Sequence, residues 1–481
     1  MTMKTLTVDV AIIGSGTAGL AAYRSAKAAG AAVALIEGGE YGTTCARVGC
    51  MPSKLLVAAA EAVHAVKTAP GFGVHVEGRV RIDGRGVMAR VRSERDRFVG
   101  FVLQEVDRIA ETERVRGRAR FVDDHTLVID DHTRVNAKSV VIATGSRASY
   151  PESFKKLGER LIINDDVFDW DDLPKSVAVM GPGIIGLELG QALHRLGVRV
   201  AILGRGGRVG PLSDPEIRDY AIATFEDELV LEPDANILEM RREGDRVVLR
   251  RKTDDGSEKT EHFDFLLAAT GRTPNVDGLG LDTTALELDA NRVPVFDPAT
   301  TQTRSAGATS SIFIAGDAGN FIPLLHEAAD EGRIAGDNAA RVAAGRPVRP
   351  GLRRAPLGVV FTDPQIAIVG GGRHALEEGR FVVGQVSFED QGRSRILIRN
   401  KGLLNVYGDP ATGRFLGAEM IAPAAEHLGH LLAWALQDEM TVAQMLEMPF
   451  YHPVIEEGLR TALRDLNAKL RAHGTTIGQV G

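Results

Sequence analysis

Two apolar runs in the first half of the chain each lead into a glycine-rich turn and then into a helix-like segment. Residues 5–13 predict a strand, TLTVDVAII, which passes through IIGSGTAG into the helical pattern LAAYRSAKAAG. Residues 179–186, VMGPGIIG, pass in the same way into LELGQALHRLG. Apolar runs that end in glycine and precede a helical period predict strand, turn and helix. The chain therefore contains a diverged repeat of two α/β units.

Each unit is followed far downstream by another apolar strand that ends in a turn. The segment VVIATGSR at residues 140–147 has Thr144 and Gly145 in its turn, and LLAATGR at residues 266–272 has Gly271. About a hundred residues interrupt the first unit, and this insertion carries both cysteines of the chain. The second unit is compact.

The last part of the chain predicts strands such as VVFTDPQIAIVG and RFVVGQVSF, followed by helices. In AAEHLGHLLAWALQ, Leu428, Leu431, Leu432 and Ala435 recur at i, i+3, i+4 and i+7. This spacing predicts a helix with one apolar face. We expect that face to meet the core of its own unit.

Composition and charge indicate a soluble globular enzyme. The 481 residues are 44% hydrophobic and 25% charged, and this length suggests about three domains. The net charge is −7 and the arginines are interspersed with acids, so no nucleic-acid partner is expected. No run approaches about 18 apolar residues, and Asp9 interrupts the amino-terminal apolar run. We therefore predict a cytoplasmic protein with no secretory signal, no membrane partner and no metal site.

The glycine turns are candidate dinucleotide sites. Each brings three glycines to the start of a helix: Gly14, Gly16 and Gly19 in the first, and Gly181, Gly183 and Gly186 in the second. Such glycines permit a tight turn and let the backbone approach a pyrophosphate at the amino end of the helix. A single motif of this kind is weak evidence, since glycines also turn ordinary corners between strand and helix. Two in the same context favour dinucleotide binding.

Charge at a fixed offset distinguishes the two turns. Glu37 lies 23 residues after Gly14, at the end of the strand AAVALIE, where a carboxylate can accept hydrogen bonds from ribose hydroxyls. The same offset in the second turn reaches Gly204, followed by Arg205 and Arg208. We expect space at Gly204 and the arginine charges to accommodate a 2′-phosphate, which favours NADP over NAD. Solvated arginines on a loop are the alternative.

The two cysteines, Cys45 and Cys50, lie in GGEYGTTCARVGCMPSK. On an ideal helix this separation would place their Cα atoms roughly 8–9 Å apart, too far for a disulfide. A bond therefore requires a distorted segment, and Gly49 can supply the irregular backbone. At a helix amino end, the dipole and a nearby cation would favour the reactive thiolate. Two inert buried cysteines are the alternative, which the nucleotide motifs disfavour.

Near the carboxyl end, YHPVIEEGLR contains His452, Pro453, Glu456 and Glu457. Proline fixes the backbone next to the histidine, and a carboxylate on the following helix could orient the imidazole as a general base for thiols. Taken alone, a histidine before proline is more often a structural turn residue. The other motifs favour the catalytic interpretation.

In this order, the segments resemble the pyridine nucleotide disulfide oxidoreductases, the family of dihydrolipoamide dehydrogenase, glutathione reductase and mercuric reductase. The resemblance spans essentially the whole chain through GSGTAG, TTCARVGCMPSK, ATGSR, GPGIIGLELG, ATGRTPN, SIFIAGD, FTDPQIAIVG and HPVIEE. It implies an α/β fold with two Rossmann-like dinucleotide-binding domains and an α+β carboxyl-terminal dimerisation domain. The implied segments are 1–150 for the first part of the FAD domain, 151–272 for the NAD(P) domain, 273–350 for the segment that completes the FAD domain, and 351–481 for dimerisation.

The resemblance also implies which residues bind cofactors. The FAD pyrophosphate and ribose would be held by Gly14, Gly16, Gly19 and Glu37, and the ribityl chain by Asp317. Thr144, Gly145 and Gly271 are further expected cofactor contacts. The nicotinamide nucleotide would be bound by Gly181, Gly183, Gly186 and Arg205.

The catalytic roles follow from the same resemblance. Cys45 would exchange with substrate, and Cys50 would lie against the flavin. Lys54 and Glu188 match an ion pair near flavin N5, where an ammonium favours negative charge on the reduced ring. The base and its orienting carboxylate, His452 and Glu457, would come from the other subunit. We therefore expect an obligate homodimer.

Within the family, MPSK after the second cysteine resembles the lipoamide enzymes more than the glutathione enzymes. We expect electron exchange between a nicotinamide nucleotide and a small dithiol or lipoyl domain, with dihydrolipoamide as the first candidate. The alternatives are an NADPH-dependent reductase of another disulfide and, in a different class, a non-catalytic flavin-binding scaffold. The scaffold is disfavoured because the catalytic residues are all present. Three departures from the family pattern are Val454 for threonine, Glu327 for the lysine after His326, and Gly204-Arg205 for an acidic strand end.

Overall fold

The computed structural model describes residues 3–253, 255–306 and 308–473. The chain divides into two compact units whose segments alternate along the sequence. The first unit comprises residues 1–52, 92–149 and 272–354, and the second comprises residues 53–91, 150–271 and 355–481.

Strands and helices alternate from the amino terminus to residue 148. The strands are β1 (Lys4–Ile13), β2 (Val33–Glu37), β3 (Arg114–Arg116), β4 (Ala119–Asp123), β5 (Thr126–Ile129), β6 (Thr133–Ile142) and β7 (Ser146–Ala148). The helices are α1 (Thr17–Ala28), α2 (Thr44–Val48), α3 (Cys50–Thr68) and α4 (Gly84–Asp107).

The middle of the chain repeats this alternation. Its strands are β8 (Leu161–Ile162), β9 (Ser176–Met180), β10 (Arg199–Leu203), β11 (Val230–Glu232), β12 (Asn236–Glu243), β13 (Arg246–Lys252), β14 (Glu258–Phe263), β15 (Phe265–Ala268) and β16 (Arg272–Pro274). Its helices are α5 (Asn164–Val167), α6 (Ile184–Arg195) and α7 (Pro215–Glu226).

The last part of the chain ends in helices. Its strands are β17 (Gln302–Ser305), β18 (Ala308–Ile314), β19 (Leu357–Val360), β20 (Gln365–Val369), β21 (Val382–Ser387), β22 (Leu403–Gly408) and β23 (Phe415–Ala422). Its helices are α8 (Leu325–Ala343), α9 (Gly392–Ile396), α10 (Ala425–Gln437), α11 (Val442–Glu447) and α12 (Glu456–Ala472). Short 3-10 turns occur at Ala69–Phe72, Glu111–Glu113, Glu152–Arg160, Leu281–Thr283, Gly316–Gly319 and Arg373–Ala375.

The first unit is built on a sheet with the order β17-β18-β6-β1-β2-β3. Strand β1 pairs in parallel with β2 and β6, and β6 pairs in parallel with β18. Strand β18 comes from the later segment of the chain, so that segment completes the first sheet. Helices cover one face of the sheet, while a hairpin and loops cover the other, which explains why the end of β1 is apolar at successive positions.

Glycines bring two helices of the first unit close together. A Cβ atom at Gly332 of α8 would lie 2.1 Å from the carbonyl oxygen of Ala18, and one at Gly336 would lie 2.2 Å from that of Ala22. Since no side chain fits at either position, α8 packs directly on the backbone of α1. The amino end of α1, where the first glycine turn lies, is thereby held in place.

The second unit contains a parallel sheet of the order β11-β10-β9-β15-β8 and an antiparallel sheet, β12-β13-β14. It also contains the antiparallel sheet β19-β20-β23-β22-β21, on which α10 and α12 pack. In α10, Leu428, Leu432 and Ala435 are buried as predicted, but Leu431 is 40% exposed. At 100° per residue, Leu431 lies at the margin of the apolar face, on the same side as the exposed Trp434.

The predicted fold class is confirmed. Both glycine turns join a parallel strand to a helix, the first sheet is completed from downstream, and the last part of the chain is α+β. The finer division at residues 150, 272 and 350 stays a prediction. No helix in the described ranges combines the length and apolar character needed to cross a membrane.

Candidate functional site

The first glycine turn connects β1 to α1, and each of its three positions favours glycine for a different physical reason. Gly14 has φ +106°, and a Cβ there would lie 2.3 Å from the carbonyl oxygen of Ala143. A Cβ at Gly19 would lie 1.9 Å from the carbonyl oxygen of Gly14. At Gly16 a Cβ would meet nothing within 4 Å, so this position faces open space. Two glycines close the turn, and the third leaves room for a ligand.

A cleft of about 560 Å³ opens over this turn. Predicted residues that line it include Gly14, Gly16, Glu37, Thr144 and Gly145. No side chain caps α1 at Gly16, so its first backbone N–H groups are available to an anion. The buried hydroxyl of Thr144 has no hydrogen-bond partner within the part of the chain that the structure describes. An open helix end and an unpaired polar atom fit the diphosphate half of FAD.

Glu37 lies at the end of β2, where the sequence predicted a ribose-binding carboxylate. Its Oε2 accepts hydrogen bonds from the N–H and the hydroxyl of Ser15, both at 2.7 Å, and its Oε1 accepts one from the N–H of Gly39 at 2.7 Å. These bonds fix the carboxylate at the cleft. Sequence reasoning missed Ser15, although it lies between Gly14 and Gly16.

Asp317 follows β18 and lies in the Gly316–Gly319 turn. Its Oδ2 accepts a hydrogen bond from the hydroxyl of Ser146 at 2.6 Å, and Nε of Arg272 lies 3.8 Å from the same oxygen. Arg272 also donates to the hydroxyl and the carbonyl oxygen of Ser146, both at 2.7 Å. This cluster holds the predicted ribityl-binding carboxylate in one orientation.

The cysteine segment is broken as the sequence predicted. Helix α2 ends at Val48, α3 begins at Cys50, and Gly49 between them has φ −126° and ψ −117°, outside the helical region. A Cβ at Gly49 would lie 3.0 Å from the carbonyl oxygen of Thr44 and 3.2 Å from Cα of Cys45. Glycine therefore lets the start of α3 approach the start of α2.

This approach places the two thiols in contact. Both cysteines are free thiols, Cys45 half-buried and Cys50 exposed. The hydrogen bond between the Cys45 thiol and Cys50, together with burial, raises the pKa of Cys45. The sulfur of Cys50 lies at the amino end of α3, where the helix dipole favours negative charge. The arrangement suits a pair that opens and closes as a disulfide.

Lys54 of α3 and Glu188 of α6 form the predicted ion pair. Nζ of Lys54 lies 2.6 Å from Oε2 of Glu188, and the Glu188 side chain is only 5% exposed. The other oxygen, Oε1, accepts a hydrogen bond from the N–H of Phe361 at 2.9 Å. The Lys54 ammonium also lies 4.7 Å from the centre of the Phe361 ring. The sequence motif FTDP contained Phe361, but its link to this pair was not predicted.

The second glycine turn reproduces the geometry of the first. Gly181 has φ +108°, and a Cβ there would lie 2.4 Å from the carbonyl oxygen of Ala269. A Cβ at Gly186 would lie 1.9 Å from the carbonyl oxygen of Gly181. A Cβ at Gly183 would meet only the carbonyl oxygen of Ala269, 4.0 Å away. Gly271, with φ +136°, has open space beside it. The second unit therefore has the same kind of opening at the amino end of α6.

One expectation about the second turn is wrong. The side of Gly204 that a Cβ would occupy is filled, because the Cβ would lie 2.5 Å from the carbonyl oxygen of Pro233 and 2.7 Å from the ring of Pro182. The glycine therefore permits close packing instead of leaving space for a phosphate. Arg205 and Arg208 are exposed, and neither makes an ion pair within the described ranges.

His452 and Glu457 form the predicted dyad. Nδ1 of His452 and Oε2 of Glu457 are 2.9 Å apart, and the imidazole is 79% exposed. Burial acts in the opposite direction, but hydrogen bonds from His452 and the N–H of Val454 and the charge of Arg460 hold the pKa of Glu457 below its ordinary value. Nδ1 thus contacts the Glu457 carboxylate, and Nε2 is the ring nitrogen that can accept a proton from a thiol. The His452–Pro453 peptide bond is cis.

The departure at Glu327 has a local explanation. Its carboxylate is 1% exposed and lies 3.0 Å from Nη2 of Arg353, whose Nη1 lies 2.8 Å from Glu331. One arginine thus bridges two buried carboxylates. Burial raises the pKa of Glu331, although Arg353 and the N–H of Gly316 oppose this shift. Nothing in the structure explains Val454 in place of threonine.

Comparison with known proteins identifies two matching domain families. Residues 8–332 match "pyridine nucleotide-disulphide oxidoreductase", and residues 357–463 match the dimerisation domain of the same name. Dihydrolipoyl dehydrogenase of Bacillus subtilis is 29% identical over 469 residues, which cover 95% of this chain and 98% of that protein. Mercuric reductase of Lysinibacillus sphaericus is 30% identical over 465 residues, covering 94% and 82%. The structure of LpdA from Mycobacterium tuberculosis aligns with a TM-score of 0.79 and 25% identity, covering 95% of this chain and 99% of that one.

Proposed function

Because the chain belongs to the pyridine nucleotide-disulphide oxidoreductase family, as its motifs predicted, we propose that it oxidises a dihydrolipoyl-type dithiol through Cys45 and Cys50. The chain is an FAD-dependent disulfide oxidoreductase. We infer its substrate, its nucleotide and the roles of its residues. The observation that carries this proposal is the contact of the two thiols across Gly49. A dithiol substrate is the reductant that such a pair exchanges with directly.

The exchange with substrate begins from the Cys45–Cys50 disulfide. His452, contributed by the partner subunit, takes a proton from one substrate thiol, and the resulting thiolate attacks the sulfur of Cys45. The bond between the cysteines breaks, and Cys50 leaves as a thiolate. The second substrate thiol then attacks the mixed disulfide, releasing the oxidised substrate, and its proton passes to Cys45. The product has a Cys45 thiol, a Cys50 thiolate and a protonated His452.

The remaining residues bind and orient. FAD, when bound, supplies the redox chemistry that returns the electron pair of the cysteines to a nicotinamide nucleotide. The first turn and Glu37 would hold its diphosphate and ribose, and Lys54, held by Glu188, would supply the positive charge that favours the reduced flavin. Glu457 holds His452 in one orientation through its contact with Nδ1.

For the nucleotide, we propose a preference for NADP over NAD. No carboxylate stands at Gly204 to accept the ribose hydroxyls or to repel a 2′-phosphate. Arg205 and Arg208 are exposed and have no ion-pair partner in the described structure, so no existing contact has to break when they meet a phosphate. This observation also supports a second candidate function, an NADPH-dependent reductase of another small or protein disulfide.

We further propose that the active form is an obligate homodimer located in the cytoplasm. The match of residues 357–463 to the dimerisation domain of the family supports this proposal. In a single chain, Tyr451 and His452 are 80% and 79% exposed, which suits residues that meet a second subunit. An exposed catalytic base needs such a neighbour, because the chemistry requires a site that is screened from water.

Steady-state rates distinguish the two candidate functions. The purified enzyme would be assayed with dihydrolipoamide and NAD or NADP, and separately with oxidised lipoamide, glutathione disulfide and a protein disulfide using NADH or NADPH. Dihydrolipoamide oxidation that exceeds all of the disulfide reductions would support the first function. A larger kcat/KM for NADPH with a different disulfide would replace it with the second.

A further inference from the structure

Three buried polar residues follow one face of α6. Glu188, Gln191 and Arg195 are spaced i, i+3 and i+7, which places their side chains on the same side of the helix. Each is 4% exposed. Polar groups buried to this extent require partners. All three find a partner in the loop between β19 and β20, residues 361–364, called here the 361–364 loop.

Gln191 and Arg195 bind almost every polar group of Asp363. Oε1 of Gln191 accepts the N–H of Asp363 at 2.8 Å, and its Nε2 donates to the Asp363 carbonyl oxygen at 2.8 Å. Arg195 donates to the same carbonyl oxygen at 3.2 Å and to the carboxylate at 3.0 Å. Glu228 supports both residues, accepting from Gln191 at 2.9 Å and from Arg195 at 2.6 and 3.0 Å. The far end of the loop is thus fixed to α6.

The near end of the loop touches Lys54. The N–H of Phe361 donates to Oε1 of Glu188, whose Oε2 holds the Lys54 ammonium, and the Phe361 ring lies against the same ammonium. Both groups that orient Lys54 are therefore joined to each other by one hydrogen bond. If Phe361 shifts, its ring moves relative to the Lys54 ammonium, and the Glu188 carboxylate that faces the ammonium moves as well. The position of the charge depends on where the loop is held.

We propose that Gln191 and Arg195 are positioning residues that fix the Lys54 ammonium by anchoring the 361–364 loop to α6. This inference rests on the role proposed above for Lys54, in which its charge favours negative charge on the reduced flavin ring. Neither residue touches a reacting group. They act through Asp363 and Phe361, over two turns of one helix, on a charge whose placement sets the ease of flavin reduction.

The flavin midpoint potential of the FAD-loaded protein tests this, measured by equilibration with a redox dye. Removal of the charge in Lys54→Met is expected to lower the potential. Gln191→Met and Arg195→Met, which release the loop but keep Lys54, are expected to lower it in the same direction by a smaller shift. On the Lys54→Met background, Gln191→Met is expected to add no further shift, because its effect passes through the ammonium.

Arg251→Met is the matched control. Arg251 of β13 is also buried, at 2% exposure, and it contacts two carboxylates, Glu232 at the end of β11 and Glu261 of β14. Its replacement is expected to lower the midpoint of thermal unfolding as much as Arg195→Met does and to leave the flavin potential unchanged. A potential that falls equally in Arg251→Met would mean general loss of structure and would overturn the inference.

Two further outcomes separate this inference from the proposed function. If Lys54→Met lowers the potential while Gln191→Met and Arg195→Met match the unmodified protein, the anchoring role is wrong and the role of Lys54 stands. If Lys54→Met itself leaves the potential unchanged, both are wrong. Should Gln191→Met or Arg195→Met fail to fold, Glu228→Gln offers a milder release of Arg195. It is expected to lower the potential, and an unchanged value would overturn the inference.

Discussion

Nucleotide preference is the property for which a single side chain has the clearest expected effect. Arg205 directly follows Gly204 at the end of β10, is exposed, and has no ion-pair partner within the described ranges. Its replacement in Arg205→Ala removes positive charge without breaking an ion pair of the described residues. We expect the unmodified enzyme to have a higher kcat/KM with NADPH than with NADH, and Arg205→Ala to lose most of this preference.

The magnitude follows from the exposure of the site. A charge-assisted contact to phosphate is worth on the order of 1.5–3 kcal/mol, and exposure to solvent favours the lower end of that range. About 1.4 kcal/mol corresponds to a tenfold change in the NADPH to NADH ratio. Arg208 offers a second contact of the same kind, so Arg205→Ala/Arg208→Ala is expected to change the ratio by up to about a hundredfold if the two contacts add. Both effects should shrink as ionic strength rises.

The assay is steady-state kinetics with each nucleotide at several salt concentrations. Arg199→Ala is the matched control, because Arg199 begins the same strand but contacts Glu261, and we expect it to leave the ratio unchanged. A strong preference of the unmodified enzyme for NADH, or an equal ratio in Arg205→Ala, would refute the reasoning. Gly204→Glu is unsuitable as the reverse experiment, since its Cβ would clash with Pro182 and Pro233.

Three other predictions concern the cysteines, the dimer and the first glycine turn. Two-electron reduction is expected to give a long-wavelength thiolate-to-flavin absorption band that Cys50→Ser abolishes and Cys45→Ser retains; a band in Cys50→Ser would contradict the proposed order of the pair. Inactive Cys45→Ser and His452→Gln dimers are expected to regain activity after subunit exchange, and no recovery despite exchange seen by mass spectrometry would place base and thiol in one subunit. Gly16→Ala is expected to keep the thermal stability of the apoprotein and to lose FAD retention, because the added Cβ enters open space. Gly19→Ala is expected to destabilise the fold by about 1–3 kcal/mol through overpacking. Thermal unfolding and flavin content check both.

The sequence by itself determined the features whose cause lies within a few residues. Gly14 needs its positive φ, and Gly49 needs its break between helices, for reasons of local backbone geometry. The ends of β1 and β9 are apolar and buried at successive positions, a pattern that predicts parallel strands without knowledge of their partners. These local signals and their order along the chain were enough to predict both nucleotide turns, the redox pair and the fold class.

Features that join distant parts of the chain were decided by the tertiary structure. Oε1 of Glu188 holds the N–H of Phe361, which lies 173 positions away, and no periodicity in either segment indicates that bond. The hydroxyl of Ser146 donates a hydrogen bond to Asp317, which lies 171 positions away, and neither segment indicates that bond. Gly204 suggested an open site, yet Pro182 and Pro233 fill the space beside it. The physical reason is common to all three: burial and contact depend on which segments the sheets bring together, and hydrophobic pattern fixes the face of an element without fixing the atoms that pack against it.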